Sequence, residues 1–434
     1  YIYKIYKFMF DVIFQYISID NPFFLFQAIA VTWWIWLPII LWIILKTLYY
    51  DYIRGNWIAK NLEFVILEVV LEKGEEKTPK SMEQFLTSLH GGQSSYSWWE
   101  TNVDGAVPDM FSLEIVSIGG SLHFLIRTHT KYRKMVESGI YAAFPEVEII
   151  EVSDYTQGHT HDKLEVEYDI FGVELGMSKN DAYPIRTYQQ FLDPTVDSNI
   201  NDPLAQVLEV MANIAPNEQV WIQLPITPLD DSWAKVSKKE LDKILERDNE
   251  DKRTFVDKYL APIIEVISFG LVPAPKPPAP KEQKFGVDQN LTPGKKNMIE
   301  AIEYSMTKPG FLTALRVIYI APKSIFEPSP VKSVLGALQQ FNDSTLNSFK
   351  PNSDTIPLVT DFFNRPKKGL ERLRKILLLD NYIKRKIAST KFIFNTEELT
   401  TIFHFPGGSV TTSTLKRVQA KKANPPIGLP IIDN

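Results

Sequence analysis

The sequence predicts an α+β protein: an N-terminal transmembrane helix, two tandem β-α-β-β-α-β modules of which the second carries a helical insertion, and an extended C-terminal strap. Three observations carry this prediction. The run Phe23–Leu45 is uncharged and apolar and is followed at once by Lys46. Beyond it, β-branched runs of strand length alternate with amphipathic helical segments in an order that occurs twice. Past Gly407 the apolar periodicity stops.

The first of these, FFLFQAIAVTWWIWLPIILWIIL from Phe23 to Leu45, is long enough to cross a hydrocarbon core of roughly 30 Å at about 1.5 Å per residue. Trp33, Trp34, Trp36 and Trp42 are amphipathic rings of the kind that settle at membrane interfaces. A buried core helix is the competing reading, but such helices seldom run this long without a charge. In the preceding residues 1–20, Lys4, Lys7, Asp11 and Asp20 interrupt an aromatic background, which predicts an interfacial amphipathic helix. No small-residue cleavage site follows the apolar run, so a signal peptide fits poorly. The opening Tyr1 leads to the expectation that the natural start lies upstream. Lys46, Arg54 and Lys60 follow the run whereas Lys4 and Lys7 precede it, so the positive-inside rule leans towards a single-pass protein of the cytoplasmic (inner) membrane with its bulk in the cytoplasm.

Composition bounds the remainder. A chain of 434 residues leaves room for two or three ordinary domains after the anchor. With 44% hydrophobic and 23% charged residues it has the balance of a globular protein carrying one membrane segment. The formal net charge of -5 supplies no general attraction for nucleic acid. With no cysteine, disulfides, thiolate catalysis and zinc-thiolate sites are excluded together.

Residues 1–60 therefore form the interfacial helix and anchor, and residues 61–157 the first module. There Glu63–Leu71 reads as a strand, Thr78 and Pro79 open a helix with Met82, Phe85, Leu86 and Leu89 on one face, and Gly91 and Gly92 end it. A loop with Trp98 and Trp99 leads to a hairpin, Met110–Ile118 and Leu122–Thr128, turned by Gly119 and Gly120. A helix over Tyr132–Phe144 and a strand over Val147–Val152 complete a ferredoxin-like order.

Residues 158–355 repeat it with additions. Leu164–Leu175 is a strand, Asp202 and Pro203 start a helix, and Val220, Ile222 and Leu224 alternate as in a half-buried strand. A charged helical stretch from Trp233 to about Ile267 has the alternating signs of a solvated face, and PAPKPPAPK, Pro273–Lys281, is a semi-rigid linker. Thr292 and Pro293 open a further helix, Leu312–Ile320 is a strand, Val331–Phe341 a helix and Leu346–Phe349 a short closing strand. In residues 356–434 a basic-ended helix, Lys367–Lys386, precedes a strand at Phe392–Phe394 and then the strap.

Chemistry is sparse along the chain. No G-x-x-x-x-G-K-[ST] phosphate loop occurs. His159, His161 and Asp162 could ligate a divalent ion, but alternate residues in a polar loop are ordinarily just exposed. His404, between Phe403 and Phe405, suits a packed imidazole better than a general base, and no carboxylate pair stands out for acid/base work. We therefore expect no catalytic, cofactor-binding or metal residues. The tail offers docking candidates instead: Phe392, Phe394, Asn395, Glu398, Phe403, His404, Phe405 and Pro406. Four phenylalanines in one short stretch call for a covering surface, and Asn395 is placed to cap a turn with Glu397 and Glu398 in its first helical residues.

Several segments together, PKSMEQFLTSLHG, FSLEIVSIGGSLHFLIRTHTKYRKMVESGIYAAFPEVEIIEVSDY, LRVIYIAPKSIF, QQFNDSTLNSFKP, FNTEELTTIFHFPG and KRVQAKKANPPIGLP, resemble the N-terminal region of candidate-phyla bacterial conjugation-type ATPases. These are membrane-anchored relatives of the type IV secretion coupling proteins in the HerA/FtsK superfamily. The resemblance implies an accessory region that positions and oligomerises a motor for DNA translocation, with the stretch Asn395–Pro406 leading into that motor. Its implied partners are the lipid bilayer, an ATPase motor domain or subunit and further copies of itself, with DNA reached only indirectly. A free-standing membrane scaffold is the alternative, since the sequence stops at Asn434 before any phosphate loop.

Overall fold

The computed structural model describes residues 32–72, 78–191, 202–245, 292–358, 367–387, 390–406 and 417–418. They fall into two compact units, one made of residues up to 63 with 94–108, the other of 64–93 with the residues from 109 onward. The expected interfacial helix, the stretch from Phe23 to Val31, the Pro-rich linker and most of the strap lie outside the described residues.

The first unit is built on helix α1, Trp33–Asn61. It runs well past Lys46, because apart from Gly55 nothing between Lys46 and Asn61 breaks a helix. The stretch Trp36–Asn61 has a mean hydropathy of 1.2 and is long and apolar enough to cross a membrane, by length and composition. Its large side chains face outward, Trp42 being 68% exposed.

The second unit follows the hydrophobic pattern closely. Its elements are β1 (Phe64–Glu72), α2 (Pro79–His90), β2 (Phe111–Ile118), β3 (Ser121–His129), α3 (Arg133–Ala143), β4 (Glu148–Val152), β5 (Tyr168–Met177), α4 (Ala205–Ala212), β6 (Gln219–Pro228), α5 (Ala234–Ile244), α6 (Pro293–Ser305), β7 (Gly310–Thr313), β8 (Leu315–Pro322), α7 (Ser329–Leu338), β9 (Phe349–Pro351), α8 (Lys368–Ile383), β10 (Phe392–Asn395), α9 (Thr396–Ile402) and β11 (Arg417–Val418). Gly119 and Gly120 turn the β2–β3 hairpin with φ of 57° and 84°, a left-handed backbone that a side chain would strain.

One large, mainly antiparallel sheet gathers these strands in the order β4-β1-β3-β2-β6-β8-β5-β9. The order of the first four is repeated in mirror sequence by the last four, and the halves join where β2 pairs β6 along its whole length, Phe111 with Ile226 through Ile118 with Gln219. Strand β11 adds to β1 as a parallel pair, Leu71 with Arg417. The single strand expected over Leu312–Ile320 is two: β7 leaves β8 at Ala314 to pair the end of β6, Ile226 with Thr313, and carries β10 on its other side. The closing strand falls at Phe349–Pro351 instead of Leu346–Phe349, because Asp343 Oδ1 accepts from the backbone N–H groups of Thr345 and Leu346 and folds that stretch into a turn.

Strand alternation divides the core in two. Leu67, Leu113, Ile115, Phe124, Val173, Ile222 and Val317 face a layer of helices that supplies Phe85, Ile140, Leu208 and Val334 from α2, α3, α4 and α7. Ile66, Val116, Leu125, Ile170, Trp221 and Ile318 face the other way and meet Leu378, Leu379 and Tyr382 of α8. Strand β6 is thus buried on both faces, where the alternation had suggested one, because α8 lies over it from about 160 residues further along the chain.

Candidate functional site

The C-terminal segment holds the densest set of buried functional groups, and it works on both sides of the sheet. On the helical side, β10 pairs with β7, setting Phe392 against Thr313 and Phe394 against Phe311. Asn395 then caps α9 as its spacing predicted: its Oδ1 accepts from the N–H groups of Glu397 (2.8 Å) and Glu398 (2.9 Å), and Glu398 Oε2 accepts from Asn395 N–H at 3.0 Å. The second Glu398 oxygen accepts from Ile185 N–H, 3.0 Å away, and Asn395 Nδ2 donates to Ser305 Oγ. Thr401 Oγ1 accepts from Tyr188 N–H. Lys308 bridges Glu83, at 2.7 Å, and Glu397. His404 sets Nδ1 on the Thr400 carbonyl and Nε2 on the Asp202 carboxylate, so both ring nitrogens face acceptors.

All eight tail candidates, from Phe392 to Pro406, are buried within the chain itself. This corrects the expectation that they await a motor surface. Phe403 and Phe405 pack edge-on to Phe124, and Phe405 to Phe144 at 4.9 Å between centroids, so the covering surface comes from β3 and the end of α3. Each ring removed from water contributes roughly 1.5–3 kcal/mol.

Burial also shapes the charges here. It pushes the Glu398 carboxyl up to about 8, with Glu397 and Asp181 adding to the effect, and pushes Asp181 up to about 6. Lys308 is half-buried, which opposes its charge, but the hydrogen bonds it donates to Glu397 and Glu83 hold its pKa above the ordinary lysine range.

On the opposite face lies a network that the sequence reading missed. Arg385, in the basic end of the helix expected over Lys367–Lys386, is fully buried and turns inward on a left-handed backbone with φ of 52°. Its Nε donates to Glu114 Oε1 at 3.0 Å and its Nη1 to Asp154 Oδ2 at 2.6 Å. Tyr155 donates to Glu114 and meets the Tyr382 hydroxyl, and Gln223 Nε2 donates both to Glu114 and to the Tyr382 carbonyl. Arg316, equally buried, donates to Glu174 at 2.7 Å, to Gln223 and to the Lys386 carbonyl. Although burial disfavours the Arg385 charge, Glu114 and Asp154 hold its pKa above the ordinary arginine value; burial of both tyrosines raises their hydroxyls well above 10. A signal was present: Glu114, Glu174 and Arg316 are charges set among apolar neighbours inside the strands FSLEIVSI, YDIFGVELGM and LRVIYIAP.

Chemically this is a pair of clamps. The imidazoles of the polar loop go separate ways: His159 is packed edge-on to Tyr168 and Trp221, and His161 lies 3.5 Å from Asp380. Among the described residues no group of three or more His, Asp or Glu is placed to hold a metal ion. The membrane candidates Trp33, Trp34, Trp36 and Trp42 all lie on α1.

Fold and clamps together define an α+β protein with an apolar N-terminal helix and a C-terminal segment built into its sheet. The chain belongs to the family described as Domain of unknown function (DUF8128), which it matches over residues 63–417. That span takes in both halves of the sheet and the C-terminal segment and leaves α1 outside. No curated protein matches the chain.

Proposed function

We propose that the chain is the membrane-anchored accessory region of a type IV secretion or conjugation-type DNA-translocating ATPase, and that it positions and oligomerises the motor. The observation that carries this reading is the hold on residues 367–406: α8 covers one face of the sheet, α9 the other, and β10 is laced to its edge. A load applied beyond Pro406 is then borne by the whole core. With Phe392–Pro406 committed to that core, the motor contact falls to the residues that follow. The mirrored strand order supports reading each half as a ferredoxin-like module, and α1 supports an inner-membrane anchor with the bulk of the chain cytoplasmic. ATP hydrolysis belongs to the motor, and DNA is met through it.

The DNA following codon 434 offers the test. A phosphate-loop protein encoded in the same frame or in the next gene, co-expressed with this chain, should be retained in the membrane fraction and released when the chain is truncated after Pro406. Absence of such a sequence, or retention that ignores the truncation, would favour a free-standing membrane scaffold.

A further inference from the structure

Within the first unit, residues 94–108 are bound tightly to the second half of α1. Gly105, at φ 80°, brings its backbone so close that a Cβ there would sit 2.5 Å from the Ile53 carbonyl carbon. Tyr50 donates from its hydroxyl to Asn102 Oδ1 at 2.8 Å, and Trp57 packs edge-on to Tyr96. The turn is also fixed internally, since Ser97 N–H donates to Glu100 Oε2 at 2.7 Å and Ala106 N–H to the Glu100 carbonyl at 2.8 Å. Yet on this rigid turn Trp98 and Trp99, in edge-to-face contact, are 66% and 69% exposed, and Val103 beside them is exposed too. A fixed backbone that holds two indoles out in water leaves a large apolar area uncovered.

The position of the turn identifies what covers it. Tyr50 lies five residues past Leu45, about 7.5 Å along a helix, while the interfacial zone of a bilayer adds roughly 5–8 Å to each side of its hydrocarbon core. Lys46 and Arg54 sit over the Tyr50 ring at 5.9 and 5.3 Å, so this stretch of α1 combines aromatic and cationic groups, as interfacial segments do. Tyr49, Tyr52 and Leu48 nearby are exposed as well.

We propose that Trp98 and Trp99 form a second membrane contact, seated in the headgroup region of the bilayer that α1 crosses. The contact rests on the membrane-anchor reading above. It fixes the depth of α1 and its rotation about its own axis, which a single helix does not fix by itself.

Because the chain has no cysteine, one introduced residue gives a unique label. Val103→Cys and Ile39→Cys proteins, each carrying an environment-sensitive dye, are placed in phosphatidylcholine–phosphatidylglycerol nanodiscs whose lipids bear spin labels near the headgroup or near the acyl midpoint. The dye at 103 should be quenched more by the shallow label, that at 39 more by the deep one, and the shallow quenching at 103 should be lost in Trp98→Ala/Trp99→Ala. Quenching at 39 with none at 103, or quenching at 103 that survives the double substitution, overturns the proposal and leaves the anchor standing; the first of these outcomes would point to a protein partner for the two rings. No quenching at either position overturns the anchor as well.

Discussion

Helix α1 and the segment 392–406 are both rich in aromatic residues, and they treat their rings in opposite ways. Trp33 and Trp42 are 54% and 68% exposed, whereas Phe394 and Phe403 are at 1% or less. Aromatic density alone therefore does not say whether a segment is covered by its own chain. What separates the two is the company the rings keep. Over Trp33–Leu45 of α1 they stand in an uncharged, almost wholly apolar run; in the tail they alternate with Asn395, Glu397, Glu398, Thr401 and His404, every one of which finds a hydrogen-bond partner in the chain. Polar groups that can be satisfied only at one geometry fix a segment to a surface, and purely apolar ones do not.

The contrast can be broken by substitution. The largest effect is expected for Phe403→Ala/Phe405→Ala, which should destabilise the second unit by about 5 kcal/mol or more in denaturant melts, since single buried Phe→Ala changes cost about 3–5 kcal/mol. A loss below about 1 kcal/mol would mean that the tail is not part of the core. Arg385→Ala comes next, at about 3–5 kcal/mol, because Glu114 is left as a buried unpaired charge; Arg385→Met with Glu114→Gln should recover part of that loss, and no recovery would show that shape matters more than charge. For α1 the expectation reverses. Ile39→Lys, deeper in the apolar run, should leave the melt unchanged but weaken membrane insertion by up to about 2.5–3.5 kcal/mol, seen as a shift from the pelleted to the soluble fraction.

A pH dependence is expected on the tail side as well. In the folded chain the Glu398 pKa is raised from an ordinary 4.5 to about 8, so the folded state holds that proton more tightly than the unfolded one. Stability is then fullest below 4.5 and falls as pH rises towards about 8, by up to about 1.4 kcal/mol per unit. Glu398→Gln should flatten this slope; an unchanged slope would assign it to another group, Asp181 first.

Much of the architecture was legible in local pattern. The hairpin at Gly119 and Gly120, the helix opened by Pro79 and the capping of α9 by Asn395 all depend on residues within a few positions of one another. What escaped was long-range. Nothing local to Lys384, Arg385 and Lys386 distinguishes a solvated basic cluster from one whose middle residue reaches Glu114, 271 positions earlier. The tail aromatics were read as needing a surface, which they do. Their own β3 supplies it, and sequence spacing carries no record of that choice.

The pairing of Phe124 with Phe405 sets an order of events during synthesis. Those residues are 281 positions apart, so at about 5–20 residues per second the earlier ring waits roughly 14–56 s for its cover. For most of that interval both faces of the nascent sheet lack their last layer, since α8 and α9 are made only near its end. The half-built sheet must be shielded, by a ribosome-associated chaperone or by partial collapse, and a chain interrupted before Phe392 would leave apolar surface open to aggregation. Completion of the fold is in this way coupled to emergence of the segment through which the proposed motor would be held.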